Sequence, residues 1–275
     1  KGAGLIARII KLFLHKPLIY TFHGIHTYCL SRLNRFLYIF YENITGWLDD
    51  EKVFVSKSER KQTKYFKIFI GKNNSIINNS TREMFRIKIN AEKNNLKIGI
   101  DNNKKNIISI CRLVDQKNIF EIFNIAKRLQ IYNFIVLGEG CLFDKAKIYL
   151  KNKDIKNVFL FGTQTDIFKY LYESDLFLSA SLYEGHPISI LEAMSIGLPI
   201  VASKVTGNID TIKSDFSGFF YRLGDIKEAI YLIKKIMNNK ELKLKFSKNS
   251  FFTHRKLFTT SKMKNSYISL YKKYN

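Results

Sequence analysis

Apolar runs of four to nine residues, each bounded by small or turn-forming residues, punctuate the chain: PLIYTF (17–22), KVFVS (52–56), IISIC (107–111), NVFLF (157–161), DLFLSASLY (175–183) and IVAS (200–203). Unbroken apolar stretches of this length read as buried strands. Between the last two, Ile190 to Ile196 has helical spacing, and Gly197-Leu198-Pro199 stops the helix before IVAS begins. Strands alternating with helices predict an α/β protein. Near the start, GLIARIIKLFLHKP (4–17) has an apolar face with Arg8, Lys11, His15 and Lys16 around it. That is the pattern of an amphipathic helix, packed on a sheet or resting on an anionic membrane surface. The polar, weakly periodic RIKINAEKNNLKIGIDNNKK (86–105) reads as the connection between two domains, and no internal repeat is present.

Two carboxylates bracket the turn and helix that follow DLFLSASLY. Glu184 sits at the predicted strand-to-helix turn and Glu192 about two turns along the helix, at about 1.5 Å rise per residue. The first helical turn between them offers unpaired N–H groups and a positive dipole end, a site for an anion. Such a layout suits a ligand with phosphate in the middle and hydroxyls at both ends. The plainer reading makes Glu184 a helix cap and Glu192 a solvated side chain.

The wider motif decides between them. EGHPISILEAMSIGLPIVAS (184–203) resembles the E-x7-E and A-M-x-x-G-x-P elements of the family 4 glycosyltransferases. SICRLVDQKNI (109–119) is similar to that family's strand ending in G-R-L-x-x-x-K-G, FIVLGEG (134–140) to its next strand and turn, and NVFLFGTQTDIFKYLYESD (157–175) to its base-binding segment. KGAGLIARII, PLIYTFHGIH, VFVSKSER and SIINNS look like later parts of its acceptor-side domain. The departures are Cys111 for the usual Gly before Arg112, Asn118 for the Gly after Lys117, and Asp210 as the acidic residue of VTGNIDTI. The resemblance implies two facing Rossmann-like domains of the glycosyltransferase B type. It assigns residues 1–95 to a partial acceptor-side domain, 96–251 to a complete donor-binding domain, and 252–275 to a helix returning to the first domain. Because the family's domain opens with further strands upstream, the chain reads as a fragment of weak or absent activity.

The activity implied is transfer of a sugar, with retained configuration, from a nucleotide-diphosphate donor to a saccharide or lipid-linked acceptor in polysaccharide or glycolipid synthesis. Arg112 and Lys117, just past a strand, are placed to meet the diphosphate, where negative charge grows as the glycosidic bond breaks. By the resemblance, Glu184 binds the donor sugar's hydroxyls and Glu192 the ribose diol. Gly185, His186, Pro187 and Ile188 form the turn that faces phosphate or sugar, and His186 is alternatively a solvated turn residue. Gly162, Thr163 and Gln164 are candidates for the nucleobase. His23 is the acceptor-side histidine near the anomeric carbon, with His26 the competing choice.

No cofactor and no metal is expected. The acidic run Asp49-Asp50-Glu51 reads as a solvated turn at a helix end, not as a metal-binding D-x-D. The formal charge of +23 invites a polyanion reading, but Asn pairs and abundant Lys, Ile, Phe and Tyr suggest compositional drift, and no zinc-finger or RNP-like reader motif supports nucleic acid. Three scattered cysteines fit reduced thiols and a cytoplasmic location, with peripheral contact at the inner face of the cytoplasmic membrane left open.

Overall fold

The computed structural model describes residues 2–14, 16–25, 30–84, 100 and 103–274. Most of the expected 86–105 connection, the proposed boundary at 95–96, and His15, His26 and Cys29 lie outside the described residues. Among the described residues two sheets form, both entirely parallel.

The first sheet has the order β1-β2-β3. Helix α1 (Gly2–Phe13) precedes β1 (Ile19–Phe22), α2 (Arg32–Thr45) leads to β2 (Glu51–Phe54), and α3 (Lys57–Tyr65) leads to β3 (Asn74–Ile76). The second sheet is built from β4 (Lys105–Ile110), β5 (Tyr132–Leu137), β6 (Val158–Leu160), β7 (Leu176–Ser179), β8 (Ile200–Ser203) and β9 (Gly218–Tyr221). Its crossovers carry α4 (Ile119–Arg128), α5 (Phe143–Asn152), α6 (Ile167–Glu173), α7 (Ile188–Ser195) and the short α8 (Asn208–Thr211). After β9 come α9 (Ile226–Met237), α10 (Lys240–Leu257) and α11 (Thr260–Lys272).

Strands covered on both faces need apolar residues at every position, which is why these runs lack polar alternation. Successive side chains nonetheless part to opposite faces. Ile107, Phe134, Val136, Leu176, Leu178 and Val201 pack with α4 and α9 residues such as Phe123 and Ile233. Ile108, Ile135, Leu137, Phe177, Ile200 and Ala202 pack on the other face with Leu171 of α6 and Ile190, Leu191 and Met194 of α7. IVAS is a strand with the bounds read from sequence, and helix α7 begins two residues earlier than its spacing suggested.

The sheet order is β6-β5-β4-β7-β8-β9. The chain therefore starts near the centre at β4, runs out to β6, then returns beside β4 at β7 and runs out the other way. At the strands' carboxyl ends, the loops after β4 and β7 diverge and leave a crevice between them. Helix α11 leaves the second sheet's layer through a bridge between Thr81 and Thr259 and lies on the first sheet, with Leu270 packed beside Val53 and Ile77.

Two sequence readings around the first sheet need correction. Asp49 and Glu51 of the acidic run are enclosed, not solvated, while the Asp50 side chain stays 35% exposed and pairs with Lys11 at 2.7 Å. Arg8 donates to Asp49 at 2.9 and 2.6 Å and to Glu42 at 2.9 Å, Lys52 pairs with Asp49 at 2.9 Å, and all four side chains are at most 1% exposed. Glu51 is also buried, accepting from Lys273 at 3.0 Å and the Tyr274 hydroxyl at 2.8 Å. Helix α1 is inverted relative to its apolar pattern: Gly4 and Arg8 face Tyr20, while Leu5, Ile6, Ile9, Ile10 and Phe13 are exposed. On α2, Leu33, Phe36, Leu37 and Phe40 are exposed as well.

Burial opposes the charge on Arg8, but its bonds to Asp49 and Glu42 outweigh that and raise its pKa. Removing one partner of such a cluster strands the others without compensation. Arg8→Ala should therefore cost about 3–5 kcal/mol in urea unfolding, whereas Leu5→Ala, at an exposed position, should shift stability by less than about 0.5 kcal/mol.

Candidate functional site

A cavity of about 420 Å³ opens in the crevice between the β4 and β7 loops. It is lined by Arg112, Gln116 and Lys117 from the first loop and by Glu184, Gly185, His186, Pro187 and Ile188 from the second. Glu192 closes it from α7, while His23 and Asn79 reach it from the first sheet's side.

Local geometry explains each placement. Beyond β4, a 3₁₀ turn over Asp115–Lys117 brings Lys117 round, and Asn118 follows with φ 49°. Asn tolerates this left-handed conformation better than most residues, which accounts for its standing where the family has Gly. Lys117 Nζ meets Glu184 Oε1 at 2.5 Å, with the side chains only 15% and 8% exposed. The two loops are further tied by Gln116, whose side chain donates to the Tyr183 carbonyl at 2.9 Å and whose own carbonyl accepts from Leu182 N–H at 2.8 Å. Arg112 is exposed at the cavity edge.

Helix α7 begins after Pro187 with no side chain capping it, and Pro187, Ile188 and Ser189 of this start line the cavity. Pro187 cannot donate and pre-sets the backbone for the helix. Glu192 lies about one turn in, and burial pushes its carboxyl up to about 7. Burial, opposed by nearby Asp210, lowers His186 to about 4, so the ring is neutral at physiological pH. Its two ring nitrogens are enclosed and, among the described residues, have no hydrogen-bond partner, and the ring packs against Phe258 at 5.1 Å. The His186 carbonyl accepts from Asn79 Nδ2 at 2.9 Å.

The backbone of the turn carrying His23 comes up against the Glu184 turn at Gly185. A Cβ on Gly185 would lie 3.0 Å from Gly24 N, and one on Gly207 would lie 2.7 Å from the Gly185 carbonyl oxygen. Gly207, with φ 82°, has no room for a side chain, and at Gly185 one would push the facing backbone back by a few tenths of an ångström.

Of the sequence candidates, His23, Arg112, Lys117, Glu184, Gly185, His186, Pro187, Ile188 and Glu192 line one cavity. Gly162, Thr163 and Gln164 do not line it. They sit past β6, where Thr163 N–H donates to Glu139 at 3.4 Å and the Gln164 amide is engaged by the Phe161 carbonyl at 2.7 Å and the Tyr170 hydroxyl at 2.9 Å. Sequence reasoning did not single out Asn79 or Gln116. The position of Gln116, one residue before Lys117 in a loop already under suspicion, was the available signal. Among the described residues, no group of three or more His, Cys, Asp or Glu side chains is arranged to hold a metal ion.

Comparison with known proteins identifies the family. The chain matches the family described as glycosyl transferases group 1 over residues 90–251, more than half of its length. It is 34% identical over 160 residues to a UDP-Gal:α-D-GlcNAc-diphosphoundecaprenol α-1,3-galactosyltransferase of Escherichia coli, a match covering 55% of this chain and 41% of that one. It is 25% identical over 264 residues to the capsular polysaccharide biosynthesis glycosyltransferase CapM of Staphylococcus aureus, covering 88% of this chain and 66% of CapM. Its fold resembles Anabaena HepE, solved with UDP and glucose, with a TM-score of 0.84 at 16% identity over 98% of this chain and 74% of HepE. The chain thus spans less than two thirds of the length of these curated relatives.

The raised Glu192 pKa has a stability consequence. Its ordinary value is 4.5 and its folded value about 7, so the unfolded chain ionises first as pH rises. Stability from this group is present below pH 4.5 and is lost as pH climbs through 7. Thermal unfolding of Glu192→Gln should therefore rise relative to the unaltered chain between those two pH values, and a pH-independent difference would contradict burial as the cause.

Proposed function

The chain belongs to the glycosyl transferases group 1, and on that premise we propose that its cavity binds a UDP-sugar and passes the sugar, with retained configuration, to a saccharide or lipid-linked acceptor. The observation that carries this is the Lys117–Glu184 pair, set beside an uncapped helix N-terminus and facing His23 across one cavity. The chemical assignment to UDP follows from the E. coli and Anabaena relatives, both of which name it.

In this reading the diphosphate lies against the first turn of α7, between Arg112 and Lys117. The anomeric carbon–oxygen bond breaks, and the electron pair leaves with the diphosphate. Both cations favour that developing charge over the ground state, which is what lowers the barrier. The acceptor oxygen attacks from the face the diphosphate leaves, and its proton passes to a diphosphate oxygen. Glu184 holds the sugar's hydroxyls and keeps Lys117 pointed at the phosphate. Glu192 meets the ribose diol, and His23 hydrogen-bonds the sugar from the other side. No metal enters this scheme, because fixed side-chain cations take that role. The first sheet, with α11 across it, is the acceptor-side half of a two-domain, family 4 arrangement.

The outward faces of α1 and α2 support a peripheral site of action at the inner surface of the cytoplasmic membrane. Leu5, Ile9, Phe13, Leu33, Phe36 and Phe40 are exposed there in a chain of net charge +23, a combination that suits an anionic bilayer.

Calorimetry with UDP tests the first proposal. Binding is expected, and Lys117→Ala should weaken transfer by about 1.5–3 kcal/mol while affecting UDP affinity less. Absence of UDP binding by folded chain would reject the donor site. For the second, the chain should sediment with vesicles containing phosphatidylglycerol and stay in solution with pure phosphatidylcholine. Equal behaviour with both would reject it.

A further inference from the structure

Helix α3 opens with the sequence Ser56-Lys57-Ser58-Glu59, and Ser56 Oγ accepts from Glu59 N–H at 3.2 Å. In the reciprocal form of such a cap, the Glu side chain returns to the backbone of the capping Ser. Glu59 does something else. One carboxylate oxygen accepts from Val55 N–H at 2.9 Å, and the other accepts from Gly24 N–H, at the exit of a neighbouring strand. The side chain is completely enclosed.

Gly24 is next to His23 and has φ 113°, a conformation open to glycine and few others. Its amide is thus held by Glu59 from one side and abutted by Gly185 from the other. The same turn of α3 is anchored to the loop beside Glu184. Ser58 N–H donates to Asp210 at 2.8 Å, Gly207 N–H donates to Ser58 Oγ at 3.0 Å, and Gln62 donates to Thr206 at 3.0 Å.

We infer that Glu59 is a positioning residue: it clamps the His23–Gly24 turn against the Glu184–Gly185 turn and so fixes where His23 meets the donor sugar. This rests on the reading of the cavity as a donor site. Burial pushes the Glu59 carboxyl up to about 7, against the pull of its two backbone N–H donors and with added repulsion from Asp210. The clamp is best made by the carboxylate, since both donors need an acceptor. A glutamine of the same shape has one acceptor oxygen and turns an NH₂ toward the second N–H.

Calorimetry with UDP and with UDP-glucose, UDP-galactose and UDP-N-acetylglucosamine tests this on the full chain and on Glu59→Gln. UDP affinity should stay within about twofold, while affinity for the best-bound UDP-sugar falls about five- to tenfold. Adding Glu59→Gln to His23→Ala should bring no further loss, because the two act as one unit. Unchanged UDP-sugar affinity, or losses that multiply in the double variant, overturns the inference. If the unaltered chain binds no UDP, the donor-site reading fails, and the clamp is then judged without ligand. Hydrogen exchange at the Gly24 amide should be about tenfold faster in Glu59→Gln, and equal exchange overturns the clamp. Glu59→Asp, one methylene short of Gly24, gives the same comparison where the glutamine variant does not fold.

Discussion

The backbone of the Glu184–Gly185 turn lies against the backbone of the His23–Gly24 turn, with Gly207 packed on its other side. Three loops from two sheets meet in a stack that leaves no room for side chains. This sets the depth of the cavity. Lys117 and Glu184 reach inward from one wall, and His23 reaches in from the other, only because the walls approach this closely. The hydrogen bonds of Ser58, Gln62 and Asn79 across the same seam follow from that approach.

Charge is handled in two ways in this molecule. Lys117 and Glu184 pair at the cavity mouth, each with some exposure, so that an arriving anion or hydroxyl has groups to engage. Arg8, Glu42, Asp49 and Lys52 are shut away and satisfy one another, joining α1, α2 and the loop before β2. A buried cluster of this kind adds little net stability over apolar packing, but it penalises any arrangement in which one member is out of place. The first group is available to a ligand, and the second fixes geometry.

The elements legible in the sequence were those with continuous apolar runs, because a strand covered on both faces writes itself as such a run. The Lys117 and Glu184 motif was legible too, since both residues follow such strands directly. The inward face of α1 was not. It consists of Gly4 and Arg8, and a reading that seeks apolar residues on the packed side selects the opposite face. Asp49 misled for a similar reason, as a carboxylate in a turn reads as solvated unless its partners, here residues 8 and 52, are known to converge on it. Glu59 has a sequence signal, the Ser-x-x-Glu spacing, but that spacing predicts a local cap. Its contact with Gly24 spans 35 residues and exists only in three dimensions.

The first sheet takes part of its cover from α11 and the residues just after it. Glu51 of β2 bonds to Lys273 and Tyr274 across 222 and 223 residues, and Leu270 packs on Val53 and Ile77. The strands of this sheet precede those of the six-stranded sheet in sequence, yet the helix that seals one of their faces follows both. Contacts so distant in sequence form slowly, because the intervening chain must be ordered before they are rewarded. The six-stranded sheet, whose strands and crossover helices are contiguous, is complete well before α11 exists. The sheet whose strands come earlier therefore waits for a helix that comes later than the whole six-stranded sheet.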